Sequence, residues 1–369
     1  MGSSHFTNST SLTAALSPSR GGRSLPIGKL PVTLLRTLLA RYARDRDPRV
    51  IVGAGIGLDA AALNVGGQYV IVKTDPITFV TEEIGAYALA INANDLATMG
   101  ALPRWFLATI LLPAGITTRA EVTRIFSQIE RACRRLKVSL CGGHTEVTAA
   151  VTRPVVVGCL LGQCPKNRLI TTAGARVGDA VLLTKGIPIE AVSILAREKS
   201  KELQHRYSAR FVARCRRYFT DPGVSIVRDA TIALAVGGVH AMHDPTEGGL
   251  SAALYELAEA AQVGVQVDER AIPILPEGRR LCDDFGMNPL GAIASGALII
   301  CADPSRTQEI LRRLTRSGIA ATRIGTIVPA RKRVTFVTEG RGVRPVPRFP
   351  VDEMTRVLNF STSPGLWNG

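Results

Sequence analysis

Apolar positions in this chain alternate between helical and strand periods, and their order spells a mixed α/β protein. LPVTLLRTLLARYAR (30–44) predicts a helix, RVIVGAG a strand, GAGIGLDAAAL a Gly-rich turn and QYVIVKTD a second strand. In TEEIGAYALAINANDLATMGALP, Ile84, Ala88 and Ile91 recur at steps of four and three, one face of a helix. The next position on that face is Asp95. Glu82 and Glu83 fall in the expected first turn, where acids suit the helix dipole. WFLATILLP predicts a strand, TRAEVTRIFSQIERACRRL a long amphipathic helix, VSLCGGHTEV a strand running into a Gly-rich loop, and RPVVVGCLLG another strand.

Residues 171–180 are turn-rich and polar, a domain boundary by composition. Strand AVLLTKG, two helices to about 219 and strand VHAMHD follow. In EGGLSAALYELAEAA, Leu250, Leu254, Leu257 and Ala261 share a face. Strand VGVQV, a helix near 276–285, strand GALIICA, helix SRTQEILRRLTRSG and closing strands to about 337 complete the second half. The Pro-rich, polar stretch after about 345 reads as a loosely attached tail.

The chain has 369 residues, 46% of them hydrophobic, enough for two packed α/β domains. No apolar run reaches the ~18 residues of a membrane span, so no membrane partner is expected. The seven cysteines are scattered without a CxxC pair. A zinc site or disulfide framework is not expected, and a reducing cytoplasm fits best. Residues 1–24, rich in Ser, Thr and Gly, read as a flexible leader without the clear amphipathic stripe of a transit peptide. The net charge of +15 is densest over residues 197–219. Such a surface favours anions, but no nucleic-acid-binding motif accompanies it, and nucleic acid is not the expected partner.

Two phosphate-binding fingerprints fail on inspection. VIVGAGIGLD places Leu58 where the third glycine of GxGxxG belongs, and LDAAALNVGG is too short for a crossover helix. GGRSLPIGKL has the wrong spacing for a P-loop, with Leu30 in place of the Ser/Thr that holds Mg²⁺. What remains is a set of acids at strand ends or in Gly-rich segments: Asp59, Asp75, Asp95, Glu146, Asp244 and Glu247. Singly, each reads as a cap or turn residue; together they resemble a site for a hard cation. Lys73 and Lys185 stand beside such segments, where a lysine meets phosphate charge or only solvent. His144 reads as a loop histidine or a general base. His240 and His243, three apart on a strand, point to opposite faces and cannot share a metal. The buried carboxylate of Asp95 requires a cation: an arginine, a metal ion, or solvent at an exposed helix end.

GIGLDAAAL, VKTDP, NANDLATMGALP, GGHTEV and MHDPTEGGL, in this order, resemble the aminoimidazole ribonucleotide (AIR) synthetase superfamily, the PurM-like proteins, and especially the branch similar to the hydrogenase maturation factor HypE. The likeness covers about residues 25–345. It implies a two-domain α/β (α+β) fold. Residues 25–172 would form an ATP-binding domain that dimerises into a β-barrel, and residues 173–345 a C-terminal α/β domain, followed by a 346–369 tail. It implies ATP and Mg²⁺ as cofactors, with Asp59, Asp75, Asp95 and Asp244 at the metal. Lys29, Lys73, Asn94, Glu247 and the Gly142, Gly143, Thr145 and Glu146 loop would lie at the nucleotide. Asp95, His144, Lys185 and Asp244 would carry the chemistry, activating an oxygen of a small-molecule or carrier-bound acceptor by phosphoryl transfer. A partner maturation protein is a further implication. A thiamine-monophosphate kinase-like activity and a non-catalytic nucleotide-binding protein are the alternatives. The kinases pair two aspartates where this sequence has Leu58-Asp59. HypE proteins carry a reactive C-terminal cysteine, whereas the last cysteine here is Cys301, so no covalent cysteine intermediate is expected. Strands VIVKTD and WFLATILLP are apolar on both faces and need cover on both, which predicts a homodimer over about residues 50–165.

Overall fold

A computed structural model describes residues 25, 27–43, 47–338 and 342–358; the leader at 1–24 and the last residues of the tail lie outside these. The first half contains α1 (Val32–Tyr42), β1 (Val50–Val52), β2 (Ala61–Val65), β3 (Gln68–Ile77), α2 (Ile84–Thr98), β4 (Leu102–Pro113), α3 (Arg119–Leu136), β5 (Ser139–Thr148) and β6 (Val155–Cys164). The second contains β7 (Ala180–Thr184), α4 (Ile189–Glu198), α5 (Ser200–Arg206), α6 (Ala209–Arg217), α7 (Val227–Val236), β8 (Val239–His243), α8 (Gly249–Ala261) and β9 (Val263–Val267). It continues with α9 (Pro276–Phe285), β10 (Ile299–Ala302), α10 (Pro304–Arg316), β11 (Ala321–Pro329), β12 (Val334–Thr338), β13 (Gly342–Pro345) and α11 (Glu353–Leu358).

Two sheets organise the chain: six strands in the order β1-β2-β3-β6-β4-β5, and seven in the order β13-β12-β9-β11-β7-β10-β8. The two-domain α/β expectation stands. Within it, AALNV, expected to be turn, is strand β2, paired antiparallel with β3 across a turn at Gly66 and Gly67. GGHTEV, expected to be a loop, continues β5, parallel to β4 from Leu107↔Gly142 to Leu112↔Val147. Gly143 is required there, because a Cβ would lie 1.9 Å from the Ala108 carbonyl oxygen.

Burial alternates along β6 and most of β4, as a sheet covered on one face demands. The inner face packs on α2 and α3. Gly158 lets α2 settle onto the sheet, since a Cβ would meet the Asn92 amide nitrogen at 2.4 Å. α2 itself departs from the amphipathic expectation: all fifteen of its residues are buried. The reason is the second half, which closes over its other side. Tyr87 donates to Ser193 Oγ at 2.7 Å. Asn94 gives Nδ2 to the Val224 carbonyl at 2.8 Å and accepts from the Ile226 amide at 2.9 Å. One core therefore runs from Ile84 and Leu96 of α2 to Ile194 of α4 and Leu281 of α9. The helix begins at Ile84, so Glu82 and Glu83 are not in its first turn; Glu83 is the left-handed cap at φ 62°, and Glu82 pairs with Arg216.

The stretch after 345 is packed rather than loose, as far as it is described. Val346 and Met354 are buried, Asp352 accepts the Gly248 amide at 2.7 Å ahead of α8, and the Tyr255 hydroxyl donates to the Val346 carbonyl at 2.6 Å. No described helix is long and apolar enough to cross a membrane. Much of the basic stretch at 197–219 is engaged in ion pairs: Arg206 with Glu202, Arg214 with Glu277 and Arg216 with Glu82.

Candidate functional site

The site lies where β3, α2 and the end of β8 meet. Lys73 and Asp75 occupy alternate positions of β3, on the same face as buried Ile71 and Ile77, and so look toward α2. Asp95 sits on that helix, and the cation it meets within the chain is Lys73, whose Nζ lies 3.2 Å from Oδ2. The same ammonium is 3.6 Å from Asp75. The Lys73–Asp95 contact is thus a close ion pair made through Asp95 Oδ2.

The second half supplies the other wall. His243 ends β8 with Nδ1 at 2.7 Å from Asp59 and Nε2 at 3.0 Å from Glu256. Next to it, Asp244 is 1% exposed, and neither of its carboxylate oxygens has a hydrogen-bond partner among the described residues. It neither caps a helix nor closes a turn. Lys29 donates its backbone N–H to Glu247 at 2.8 Å and sets Nζ 3.3 Å from Glu256.

Burial pushes the Asp244 carboxyl up to about 7, and the nearby Asp59 charge adds to it. Burial likewise raises Asp95 well above the usual carboxylate range, while Lys73 pulls it back. Desolvation works against charge on Lys73, but Asp95, Asp75 and Asp59 outweigh it and raise the lysine. His243 is buried too, yet Asp59 and Glu256 hold it protonated, well above the ordinary range. Glu256 is held at about 2 in spite of burial, by Lys29 and His243.

Donor atoms of Asp59, His243 and Asp244 lie within 4.8 Å of one another, a spacing suited to a metal ion. His243 is a poor member of that set: both ring nitrogens are already engaged by carboxylates, so it acts as an imidazolium. The atoms that fit a metal are carboxylate oxygens, above all the two unpartnered ones of Asp244. An all-oxygen set of this kind suits Mg²⁺, which keeps waters and phosphate oxygens in its remaining positions.

The linkage has a definite sign. An unfolded Asp titrates near ~3.9, so between about pH 4 and 7 folded Asp244 binds more proton than the unfolded chain. Its contribution to stability declines as pH rises through that window. Asp95 has the same sign, and so does His243 above its ordinary ~6.5. Glu256 contributes stability above ~4.3 that is lost only toward pH 2. The metal-free protein should therefore lose stability from about pH 5 to about pH 8. Metal binding needs ionised carboxylates, so millimolar Mg²⁺ should raise the thermal midpoint more at the higher pH. An equal Mg²⁺ effect at both values would count against this ligand set.

Several expected residues are not brought here. The Asn94 amide is spent on the Val224–Ile226 backbone. Lys185, in left-handed backbone at φ 58°, is buried against Asp229 at 3.2 Å and the Gly223 and Ser225 carbonyls, with burial lowering its ammonium. Gly142, Gly143, His144, Thr145 and Glu146 lie on β5, the sheet edge, three strand positions from β3, or roughly 14 Å. There His144 pairs with Glu146 at 3.1 Å, both well exposed. Sequence reading also missed members of the site. His243 was weighed only as a partner of His240, which instead binds Asp179 at 2.8 Å. Glu256 lies off the leucine stripe of α8, on the face that looks to the cluster, and its only sequence signal is an acid opposite an apolar stripe.

The chain belongs to the AIR synthase related protein family: the N-terminal domain of that family matches residues 57–164 and the C-terminal domain residues 176–337. Among individual proteins it is similar to the carbamoyl dehydratase HypE of Cupriavidus necator, with 28% identity over 312 residues, 82% of this chain and 86% of the relative. The fold matches a HypE–HypF complex, with a TM-score of 0.71 at 20% identity over 86% of this chain and 99% of the other. It also matches a hydrogenase maturation protein HypE solved in complex with ATP, with a TM-score of 0.66 at 23% identity over 89% and 96%. The expectation of the HypE-like branch of this superfamily holds.

Proposed function

We propose that this protein is an ATP- and Mg²⁺-dependent enzyme that activates an oxygen of its acceptor by phosphoryl transfer. The observation that carries the reading is Asp244: a buried carboxyl with two unpartnered oxygens, facing Asp59, Asp95 and Lys73 across the seam between the halves. Leaving such a group unsatisfied costs several kcal/mol, roughly, and a metal–nucleotide complex removes that cost. Asp59, Asp75, Asp95 and Asp244 would hold Mg²⁺, which when bound neutralises phosphate charge and orients it. Lys73 and Lys29 supply fixed positive charge for the phosphates. Closure of the two halves around α2 keeps water from the transferring group. An acceptor oxygen converted to a phosphate ester becomes a leaving group, which permits dehydration or ring closure. The ATP in the similar HypE structure supports this reading, as does the dehydratase activity in the name of the Cupriavidus relative. The HypE–HypF complex supports a partner maturation protein. The direct test is Mg²⁺-dependent ADP formation that Asp244→Asn abolishes. Binding of ATP with no turnover under any acceptor tried would favour a non-catalytic nucleotide-binding protein.

A homodimer is part of the same proposal. The outer face of the first sheet carries Val70, Val72, Leu107, Leu111, Val157 and Leu161, each only half-buried, with Trp105 exposed. The second half of the chain covers α2 and leaves this face open. Paired with a twin, it would bury an obligate-type interface of upwards of ~2,000 Å². Light scattering should give near twice the 39.3 kDa chain mass, and Trp105→Glu should shift it toward the monomer. A monomeric parent would contradict this.

No cysteine is expected to carry an intermediate. Burial pushes the thiols of Cys133 and Cys164 up to about 11 and those of Cys215 and Cys282 to about 12, and raises Cys301 further. A thiol so raised is a poor nucleophile. Mass spectrometry after incubation with ATP and a carbamoyl donor should show all seven cysteines unmodified. A carbamoyl or cyano adduct would restore the cysteine-based reaction.

A further inference from the structure

A cavity of about 640 Å³ opens on the side of α2 away from the acidic cluster. Ala86, Leu89 and Ala90 of that helix line it, whereas Asp95, about two and a half turns on from Ala86, stands on the far face. α3 adds Ala132 and Arg135, and the second half of the chain closes the other wall through Lys185, Val224 and Ile319. The cavity straddles the seam between the halves and shares no lining residue with the acidic cluster. Its charged lining is Arg135, Lys185, Asp221, Arg228 and Asp229. Lys185 and Asp229 neutralise each other at 3.2 Å. The Lys185 ammonium also takes up the Ser225 carbonyl at 2.7 Å and the Gly223 carbonyl at 3.3 Å, two acceptors that would otherwise repel an anion. Lys185 does this from left-handed backbone at φ 58°, a strain that clusters at ligand sites and that the acidic cluster does not use. Arg135, Arg228 and Asp221 are exposed, and none of them pairs with an opposite charge among the described residues. The free charge at the mouth is therefore two guanidinium groups against one carboxylate.

We propose that this seam cavity is a second small-molecule site, separate from the nucleotide site, and that it takes a monocarboxylate with an apolar body. The carboxylate meets Arg135 and Arg228, and the body lies over Ala86, Leu89, Ala132 and Val224. The volume falls within the roughly 300–1,000 Å³ of small-molecule sites, and an apolar floor with a few polar groups is their usual lining. A guanidinium presents paired N–H groups that match the two oxygens of a carboxylate. The surplus of one positive charge suits a single negative one. A cation would face both arginines, and a phosphate dianion would carry excess charge toward Asp221. An uncharged apolar ligand would leave the arginines unused. An occupant touches α2 and α3 on one side and the second half on the other, so it ties the two halves together and stabilises the folded chain by mass action. The inference is independent of the phosphoryl-transfer reading.

Isothermal titration of the full chain tests it, with 2-naphthylacetate as probe and 2-naphthylacetamide as its uncharged twin. In the parent, the acid should bind at least five-fold more tightly than the amide. The double variant Arg135→Glu/Arg228→Glu should abolish that preference, and where it fails to fold, Arg135→Gln and Arg228→Gln singly should each lower it. Ala320→Trp, at an exposed position of the lining, fills the mouth and should weaken acid and amide alike by at least five-fold. Saturating acid should raise the thermal midpoint of the parent and leave that of the double variant unmoved. Equal affinity for acid and amide in the parent, or a preference that survives the arginine variants, overturns the proposal, as does undiminished binding in Ala320→Trp. Tighter binding of 2-naphthyl phosphate than of the acid overturns the carboxylate assignment. Lys29→Met removes a cation beside the acidic cluster and should leave the acid's affinity within two-fold; a five-fold loss would move the probe to the nucleotide site and overturn the proposal of a separate one.

Discussion

Lys73→Met is expected to destabilise the protein by about 3 kcal/mol, the lower end of the range for removing one partner of a buried ion pair. The Lys73 side chain is 22% exposed and that of Asp95 only 5%, so solvent does little to replace the lost charge. Methionine keeps the length and packing of the stem, and the change therefore isolates the ammonium. Asp95 limits the loss by taking up a proton, being already raised by burial. That response fixes the pH dependence. Without Lys73, the folded-state pKa of Asp95 rises further, and a carboxyl with a raised folded pKa loses stability as pH increases above its unfolded value of ~3.9. The deficit should be smallest near pH 5 and largest near pH 8. Urea unfolding of parent and variant at both values checks it. Equal midpoints at pH 8 would show that Asp95 has another counter-charge.

Asp95→Asn is expected to do the opposite to stability and more to function. It removes a carboxyl that the fold holds in an unfavourable place, while Lys73 retains Asp75 at 3.6 Å. The metal-free variant should be as stable as the parent or more so. Affinity for Mg²⁺–ATP should fall about 10–100-fold, the range for losing a group that holds or orients a metal, and ADP formation should fall with it. Gain of stability with loss of binding is the mark of a residue kept for function. Parent-like binding of Mg²⁺–ATP by Asp95→Asn would remove this residue from the site.

Of the acids Asp59, Asp75, Asp95 and Asp244, only Asp95 breaks a local rule of the sequence; the other three read singly as cap or turn residues, and the family resemblance is what selects the four from the wider acidic set. Asp95 continues an apolar face, and the others end strands or follow Gly-rich turns. What pairs with them was not legible, because it depends on tertiary register. Lys73 meets Asp95 only because β3 turns its alternate side chains toward α2. His243 meets Glu256 only because β8 ends against α8. The amphipathic reading of α2 was half right: Ile84, Ala88 and Ile91 do face inward, but the second half buries the remaining face through Tyr87 and Asn94. GGHTEV reads as a Gly-rich loop from its composition, but it continues β5, and Gly143 is demanded by a close strand contact with Ala108. Lys185 beside a strand end looks like a phosphate contact until Asp229 and two carbonyls are seen to occupy its ammonium.

The central claim is that the carboxylates between the two halves hold a metal–nucleotide complex. Isothermal titration of the full chain with ATP, first with Mg²⁺ and then with EDTA in its place, tests it most directly. The account predicts saturable binding with Mg²⁺, at least ten-fold weaker or undetectable without it. Binding of equal strength in EDTA, or no binding in either buffer, would contradict it.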